Sequence, residues 1–222
     1  MLYSELQCSE AIHKAVERMG FAEMTEIQEK TIPVMLAGHD VIAKAPTGTG
    51  KTCAFGIPVA EHIDPEKKYP QAVIMAPTRE LAQQIAEELT ELTYFMPEVQ
   101  VACVYGGANM EKQAKRLAEG CQIVVATPGR LMDHYKHHSI DLAHVTQVVL
   151  DEADEMLNMG FYKDVRHIIE LMKARKSLSM FSATISREVM DIGWLYQNSA
   201  EEINVQPREE SQPKITQYML ET

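Results

Sequence analysis

Seven short runs of mostly apolar residues recur along the chain: DVIAKA (40–45), QAVIMA (71–76), VQVACVY (99–105), QIVVAT (122–127), QVVLD (147–151), SLSMFSA (177–183) and a weaker EINV (202–205). Most lack the polar alternation of a strand with one wet face, so they predict strands covered on both sides, as a parallel sheet requires. Parallel neighbours need crossover connections. Amphipathic stretches such as RELAQQIAEELTELTYF (79–95) and REVMDIGWLY (187–196) are long enough to supply them. The pattern predicts an α/β fold: a doubly wound, mainly parallel sheet flanked by helices. Two further helices are expected before the first strand, with Ser9 and Thr25 as N-caps and Gly20 closing the first. After Val205 the polar, proline-bearing QPREESQPKITQYMLET reads as a linker, so 1–205 is expected to be one domain and 206–222 the start of a connection to a second.

In sheets of this kind ligands sit beyond the carboxyl ends of the strands. The first strand runs into APTGTGKT (45–52) and then into a helical pattern. Gly48 and Gly50 let backbone N–H groups approach an anion without Cβ clashes, with Thr47 and Thr49 between and around them. The helix N-terminus adds partial positive charge. Lys51 is placed to reach β/γ-phosphates and the Thr52 hydroxyl to ligate Mg²⁺. Ala45 stands where the general GxxxxGK[ST] pattern has its first glycine, which leaves an ordinary flexible strand-to-helix turn as the competing reading. The missing half of such a site is an acidic group at another strand end, and QVVLDEAD supplies it. Asp151 follows the apolar run directly as a metal ligand, and Glu152 can orient and deprotonate a water at the γ-phosphate. A solvated acidic loop opening a helix is the plainer alternative.

Composition pulls the other way for a polyanionic partner. Twenty-one basic against 32 acidic residues give a net charge of -11, which repels nucleic acid unless basic groups and backbone donors are gathered locally. Cys8, Cys53, Cys103 and Cys121 form no CxxC pair and read as reduced thiols. With neither a leader pattern nor an apolar run near the ~20 residues of a membrane span, a cytoplasmic protein is expected. His134 and His138 in HYKHH have helical i, i+4 spacing, but no acidic or cysteine cluster accompanies them, so a solvated helix end is expected.

The ordered set of short motifs resembles the N-terminal RecA-like domain of a DEAD-box ATP-dependent RNA helicase. GFAEMTEIQ (20–28) is similar to the family's Q motif, APTGTGKT to motif I, and PTRELAQQ (77–84) to motif Ia. GG (106–107) and TPGR (127–130) match the Ib region, DEAD (151–154) motif II and SAT (182–184) motif III. In this family alanine is usual at the position of Ala45. The resemblance implies Mg-ATP as cofactor, with Gln28 reading the adenine edge, Thr25 supporting that loop and Tyr3 in the place of an aromatic that stacks on the base. Met24 and Glu26 depart from the family's prolines. It also implies sequence-independent binding of the RNA backbone at Pro77, Thr78, Arg79, Gly106, Gly107, Thr127, Pro128, Gly129 and Arg130. Asp154, Ser182, Ala183 and Thr184 are implied as the coupling element between nucleotide and RNA. The arginines that the family's second RecA-like domain brings to the γ-phosphate are not in this sequence, so these 222 residues alone are expected to be nearly inactive.

Overall fold

The computed structural model describes residues 1–206; the rest of the expected linker, 207–222, lies outside the described residues. The strands are β1 (Val41–Lys44), β2 (Ala72–Met75), β3 (Val101–Val104), β4 (Ile123–Ala126), β5 (Gln147–Leu150), β6 (Ser177–Ser182) and β7 (Glu201–Asn204). All lie within or next to the seven apolar runs, and they form one sheet in the order β3-β4-β2-β5-β6-β1-β7. Every pairing in it is parallel.

Alternation along each strand divides the interior into two cores. Val41, Ala43, Ala72, Ile74, Ile123, Val125, Val149 and Phe181 face one layer, built with α1 (Glu10–Arg18), α2 (Glu26–Leu36), α3 (Lys51–Glu61) and α4 (Arg79–Leu92). Their neighbours Ile42, Val73, Met75, Val124, Ala126, Val148, Leu150 and Met180 face the other. That layer holds α5 (Met110–Ala118), α6 (Pro128–Lys136), α7 (Ala153–Met156), α8 (Tyr162–Leu171) and α9 (Arg187–Tyr196). Burial on both faces is why the strands read as apolar runs. Phe55 of α3 meets Phe181 of β6 edge-on, with ring centroids 5.2 Å apart, and so ties the first helix after the glycine-rich turn to the middle of the sheet.

The two N-terminal helices form as expected, and their starts differ. Ser9 Oγ accepts from Ile12 N–H at 3.4 Å, and Gly20 takes a positive φ of 80° just beyond α1. At α2 Thr25 is the N-cap, as expected, within a Thr25/Gln28 capping box in which Thr25 Oγ1 makes no full hydrogen bond. Gln28 does the capping in reverse, its Oε1 accepting from Thr25 N–H at 2.8 Å. Among the described residues no helix is long and apolar enough to cross a membrane, and all four cysteines are free.

Candidate active site

The glycine-rich turn continues β1 without a break, because Ala45 N–H still donates to Ser182 of β6 at 2.9 Å. The chain then reverses through Gly48 and Gly50, with φ of 80° and 85°, and α3 starts at Lys51. Gly50 is irreplaceable on two counts. Its left-handed backbone disfavours a side chain, and a Cβ there would lie 2.5 Å from Gln28 Nε2. That close approach has a purpose: Gln28 Nε2 donates to Gly50 O at 3.0 Å, while Gln28 Oε1 accepts from Tyr3 Oη–H at 2.7 Å. The amide thus clamps the N-terminal segment onto the turn. One amide N–H of Gln28 remains uncommitted; Tyr3, expected to offer its ring to the base, is instead 5 % exposed, with its hydroxyl spent on Gln28 and its ring stacked on Phe21, centroids 6.4 Å apart. A cleft of about 400 Å³ opens beside them, between Met24, Thr25 and Glu26 on one wall and Pro46, Thr47 and Gly48 on the other.

Strand order brings the acidic half of the site into place. β6 separates β1 from β5, yet Lys51 Nζ lies 3.6 Å from Asp151 Oδ1 across its end. Both groups are buried, and Nζ has no hydrogen-bond partner. Burial pushes the Asp151 carboxyl up to about 6, with the Lys51 charge holding it down from higher still. Glu152 follows with φ of 49°, a left-handed conformation that costs a residue with a Cβ about 1–2 kcal/mol. The reversal carries its carboxylate to the glycine-rich turn, where Thr47 Oγ1 donates to Glu152 Oε1 at 3.4 Å. Its N–H donates to Asp151 Oδ1 at 3.0 Å.

The end of β6 locks onto the same loop. Thr184 donates to Asp154 Oδ2 twice, from N–H at 2.8 Å and from Oγ1 at 2.6 Å. Ser182 Oγ accepts from Asp154 N–H at 3.1 Å and donates to Thr184 O at 2.7 Å. Ser182 therefore meets the backbone of this loop and not its carboxylates, while Ala183 links the two hydroxyl residues. Burial pulls the Asp154 carboxyl upward, but the Thr184 bonds, helped by the neighbouring Ser182 hydroxyl, outweigh it and hold the group below its ordinary value.

The other half of the same sheet edge carries three turns. Pro77, Thr78 and Arg79 follow β2, and Thr78 Oγ1 caps α4 by accepting from Leu81 N–H at 3.3 Å. Gly106 and Gly107 follow β3; Gly107 has φ of 81° and a Cβ at either would meet nothing within 4 Å. Thr127, Pro128, Gly129 and Arg130 follow β4, with Pro128 as the first residue of α6. Arg79 is half exposed beside Glu80. Arg130 is not: its side chain is 12 % exposed, and Nη1 donates at 3.0 Å to both Ala108 O and Gln113 Oε1.

HYKHH corrects one expectation. His134 is fully buried and not part of a solvated helix end; its Nε2 lies 3.1 Å from Gln113 Oε1. Burial, then the neighbouring Arg130 charge, lowers its basicity. Sequence reasoning passed over Gln113 altogether. The available signal was its place four residues before Leu117 on the apolar face of α5, where a polar side chain needs a buried partner.

A parallel sheet with a phosphate-type cradle after β1 and an acidic pair after β5 places the molecule in the P-loop α/β class. The DEAD/DEAH box helicase family model matches residues 25–192. The chain is 46 % identical over 220 residues to the ATP-dependent RNA helicase CshA of Limosilactobacillus reuteri, covering 99 % of this chain and 44 % of that protein. Against the CshA of Geobacillus kaustophilus the identity is 45 % over 219 residues, covering 99 % and 47 %. The crystal structure of a DEAD box protein from Methanococcus jannaschii superposes with a TM-score of 0.86 at 38 % identity, covering 93 % of this chain and 56 % of that one. A hypothetical ATP-dependent RNA helicase from Sulfolobus tokodaii gives 0.81 at 40 %, covering 89 % and 57 %. The chain belongs to the DEAD/DEAH box helicase family, and it spans less than half the length of these curated relatives.

Proposed function

We propose that this chain is the ATP-binding half of an ATP-dependent RNA helicase, in which ATP hydrolysis is coupled to sequence-independent RNA binding and local duplex unwinding. The observation that carries the reading is the meeting of Lys51, Asp151 and Glu152 at the glycine-rich turn, in a chain whose relatives are named RNA helicases. Thr47 to Thr52 wrap the phosphates with backbone N–H groups, and Lys51 neutralises the β/γ charge. Gln28, adjacent to the cleft-lining Ile27 and braced by Tyr3, is assigned the adenine edge through its uncommitted N–H, with Thr25 supporting the same loop. Glu152 holds the attacking water and takes its proton.

Magnesium fits the donor set. A hard cation that keeps several waters needs one carboxylate, one hydroxyl and the substrate phosphates, and Asp151 and Thr52 provide the protein's share. When bound it neutralises developing charge on the transferred phosphoryl group. The buried Lys51 Nζ without a hydrogen-bond partner is the orphan donor that the nucleotide's phosphate oxygens would satisfy. RNA takes the opposite half of the edge, where Thr78, Gly106, Gly107, Thr127 and Gly129 offer backbone donors and Arg79 an exposed charge beside Glu80. Coupling runs through Asp154 to Thr184 and Ser182. Free cysteines support a reducing, cytoplasmic setting. A second RecA-like domain, with arginines for the γ-phosphate, completes the enzyme.

The test is steady-state ATPase activity of the full-length protein with single-stranded RNA, with DNA of equal sequence and without nucleic acid. Stimulation by RNA alone is expected. Residues 1–222 by themselves are expected to bind adenine nucleotide and turn it over slowly, with little response to RNA. Equal stimulation by DNA, or strong RNA-stimulated turnover by residues 1–222, overturns the reading in its respective part.

A further inference from the structure

Arg130 invites a reading as an arginine offered to phosphate, and its surroundings contradict that. Its Nη1 is committed to Ala108 O and Gln113 Oε1, both at 3.0 Å. Its Nε is buried, 3.8 Å from the Asp133 carboxylate. Gln113 is the hub of these contacts. Its Nε2 donates to Tyr105 O at 3.1 Å, which orients the amide so that Oε1 receives both Arg130 and His134. Because an amide oxygen only accepts, His134 donates to it from Nε2. Tyr105 extends the network to the third turn, because its hydroxyl accepts from Gln83 of α4 at 3.0 Å and the Arg79 guanidinium lies 5.9 Å from its ring.

This brace matters because little else holds the segment it grips. Only Gln113 and Leu117 of α5 are buried, and at the far end of the helix Arg116 Nη2 donates to Gln100 Oε1 at 2.9 Å, so Gln113 is the anchor nearest Gly106 and Gly107. Ala108, whose carbonyl Arg130 grips, is the residue directly after those glycines. Where the glycine pair lies relative to the start of α6 is thus set by Arg130, Gln113 and His134.

We propose that Arg130 serves RNA binding as a positioning residue: with Gln113 and His134 it fixes the Gly106–Gly107 turn against the Thr127–Arg130 turn, so that backbone N–H groups of both meet the RNA backbone together. The inference rests on the RNA-binding reading above. Arg130 Nη1 and Nε are turned inward, so the phosphates there are met chiefly by uncharged donors, which suits a chain of net charge -11.

Salt dependence separates the two roles. An arginine on a phosphate of single-stranded RNA contributes about 0.7 to the slope of log affinity against log salt concentration. The experiment measures binding of a fluorescent single-stranded RNA by the full-length protein with a non-hydrolysable ATP analogue, from low to moderate salt. It uses Arg130→Gln, Gln113→Ala, their double variant and the charge-preserving Arg130→Lys. Each single change is expected to weaken RNA about tenfold, the weight of one broken buried hydrogen-bond unit, with the slope unchanged. The double variant should be no worse than either single one, and analogue affinity should stay at the wild-type value. Arg130→Lys keeps the charge on a stem that cannot grip both acceptors, so it should lose affinity like Arg130→Gln even if Gln113→Ala fails to fold. A slope reduced by about 0.7 in Arg130→Gln, or full RNA affinity in Arg130→Lys or Gln113→Ala, overturns the inference and leaves the proposed function standing. A wild-type protein that binds no RNA overturns both.

Discussion

The two halves of one sheet edge, which the proposed function assigns to nucleotide and to RNA phosphates, are built in opposite ways. Beyond β1, β5 and β6, charges are buried at close quarters: Lys51 and Asp151 are 6 % and 2 % exposed, and Lys51 Nζ lacks a hydrogen-bond partner. Beyond β2, β3 and β4, the turns offer glycine backbone and helix starts, one exposed arginine, and one arginine tied inward. The first half is poised for a small, multiply charged ligand that can be enclosed, where low dielectric magnifies each contact. The second suits a long polyanion that stays in water, where many weak neutral contacts suffice and no sequence is read. Under the proposed function, the contrast is also how a protein with a net charge of -11 would bind nucleic acid: much of the binding charge would be partial and sit on N–H groups.

Breaking the first half should have the largest effect. Glu152→Gln preserves size and the contact to Thr47 but removes the base, so RNA-stimulated turnover should fall about 10²–10⁴-fold. ATP-analogue affinity should stay within a few fold, since Lys51, Thr52 and Asp151 are untouched. Turnover assays paired with nucleotide titration check this; unchanged turnover would remove Glu152 from its role.

The electrostatic cost of that half is the next effect. Asp151 titrates near 6 when folded, above its ordinary 3.8, so its contribution to stability is present at low pH and lost as pH rises from about 4 through 6. Asp151→Asn does not titrate. In metal-free, nucleotide-free protein its stability relative to wild type should therefore rise across that window, by about 3 kcal/mol for a shift of this size. Urea melts at pH 4, 5, 6 and 7 measure the difference. A difference that stays constant with pH would show that Asp151 is not raised by burial.

The smallest effect belongs to the second half and sharpens the contrast. Arg79→Ala removes the exposed charge there, and folding stability should change by less than about 0.5 kcal/mol at any pH. RNA affinity should fall a few fold for every sequence, with the salt slope lower by about 0.7. An unchanged slope would mean that Arg79 meets no phosphate.

How much of this was legible in advance differs between the halves. The strands were readable because burial on both faces leaves unbroken apolar runs, and the cradle because Gly48, Gly50, Lys51 and Thr52 are adjacent in sequence. Asp151 was readable from its place at a strand end. Gln28 was expected to read adenine, and its grip on Gly50 and Tyr3 was not foreseeable, since these partners lie 22 and 25 residues away. His134 was misplaced in solvent because its partner sits on another helix, 21 residues earlier.

What the amino-acid order determined by itself is the local chemistry. It set apolar period and run length for strands, left-handed glycines where a turn must pass close to an amide, and a lysine and threonine at a helix start beside an anion cradle. Those properties are settled within a few residues, by sterics and by burial pattern. Tertiary structure alone decided the placements that depend on strand order. β6 was inserted between β1 and β5, so that Ser182 and Thr184 grip Asp154 beside the cradle. α5 came to rest with one amide against α6, which turned Arg130 from the surface inward. A side chain's partners across helices and strands depend on which elements become neighbours, and that follows from packing the whole sheet, not from the residues on either side.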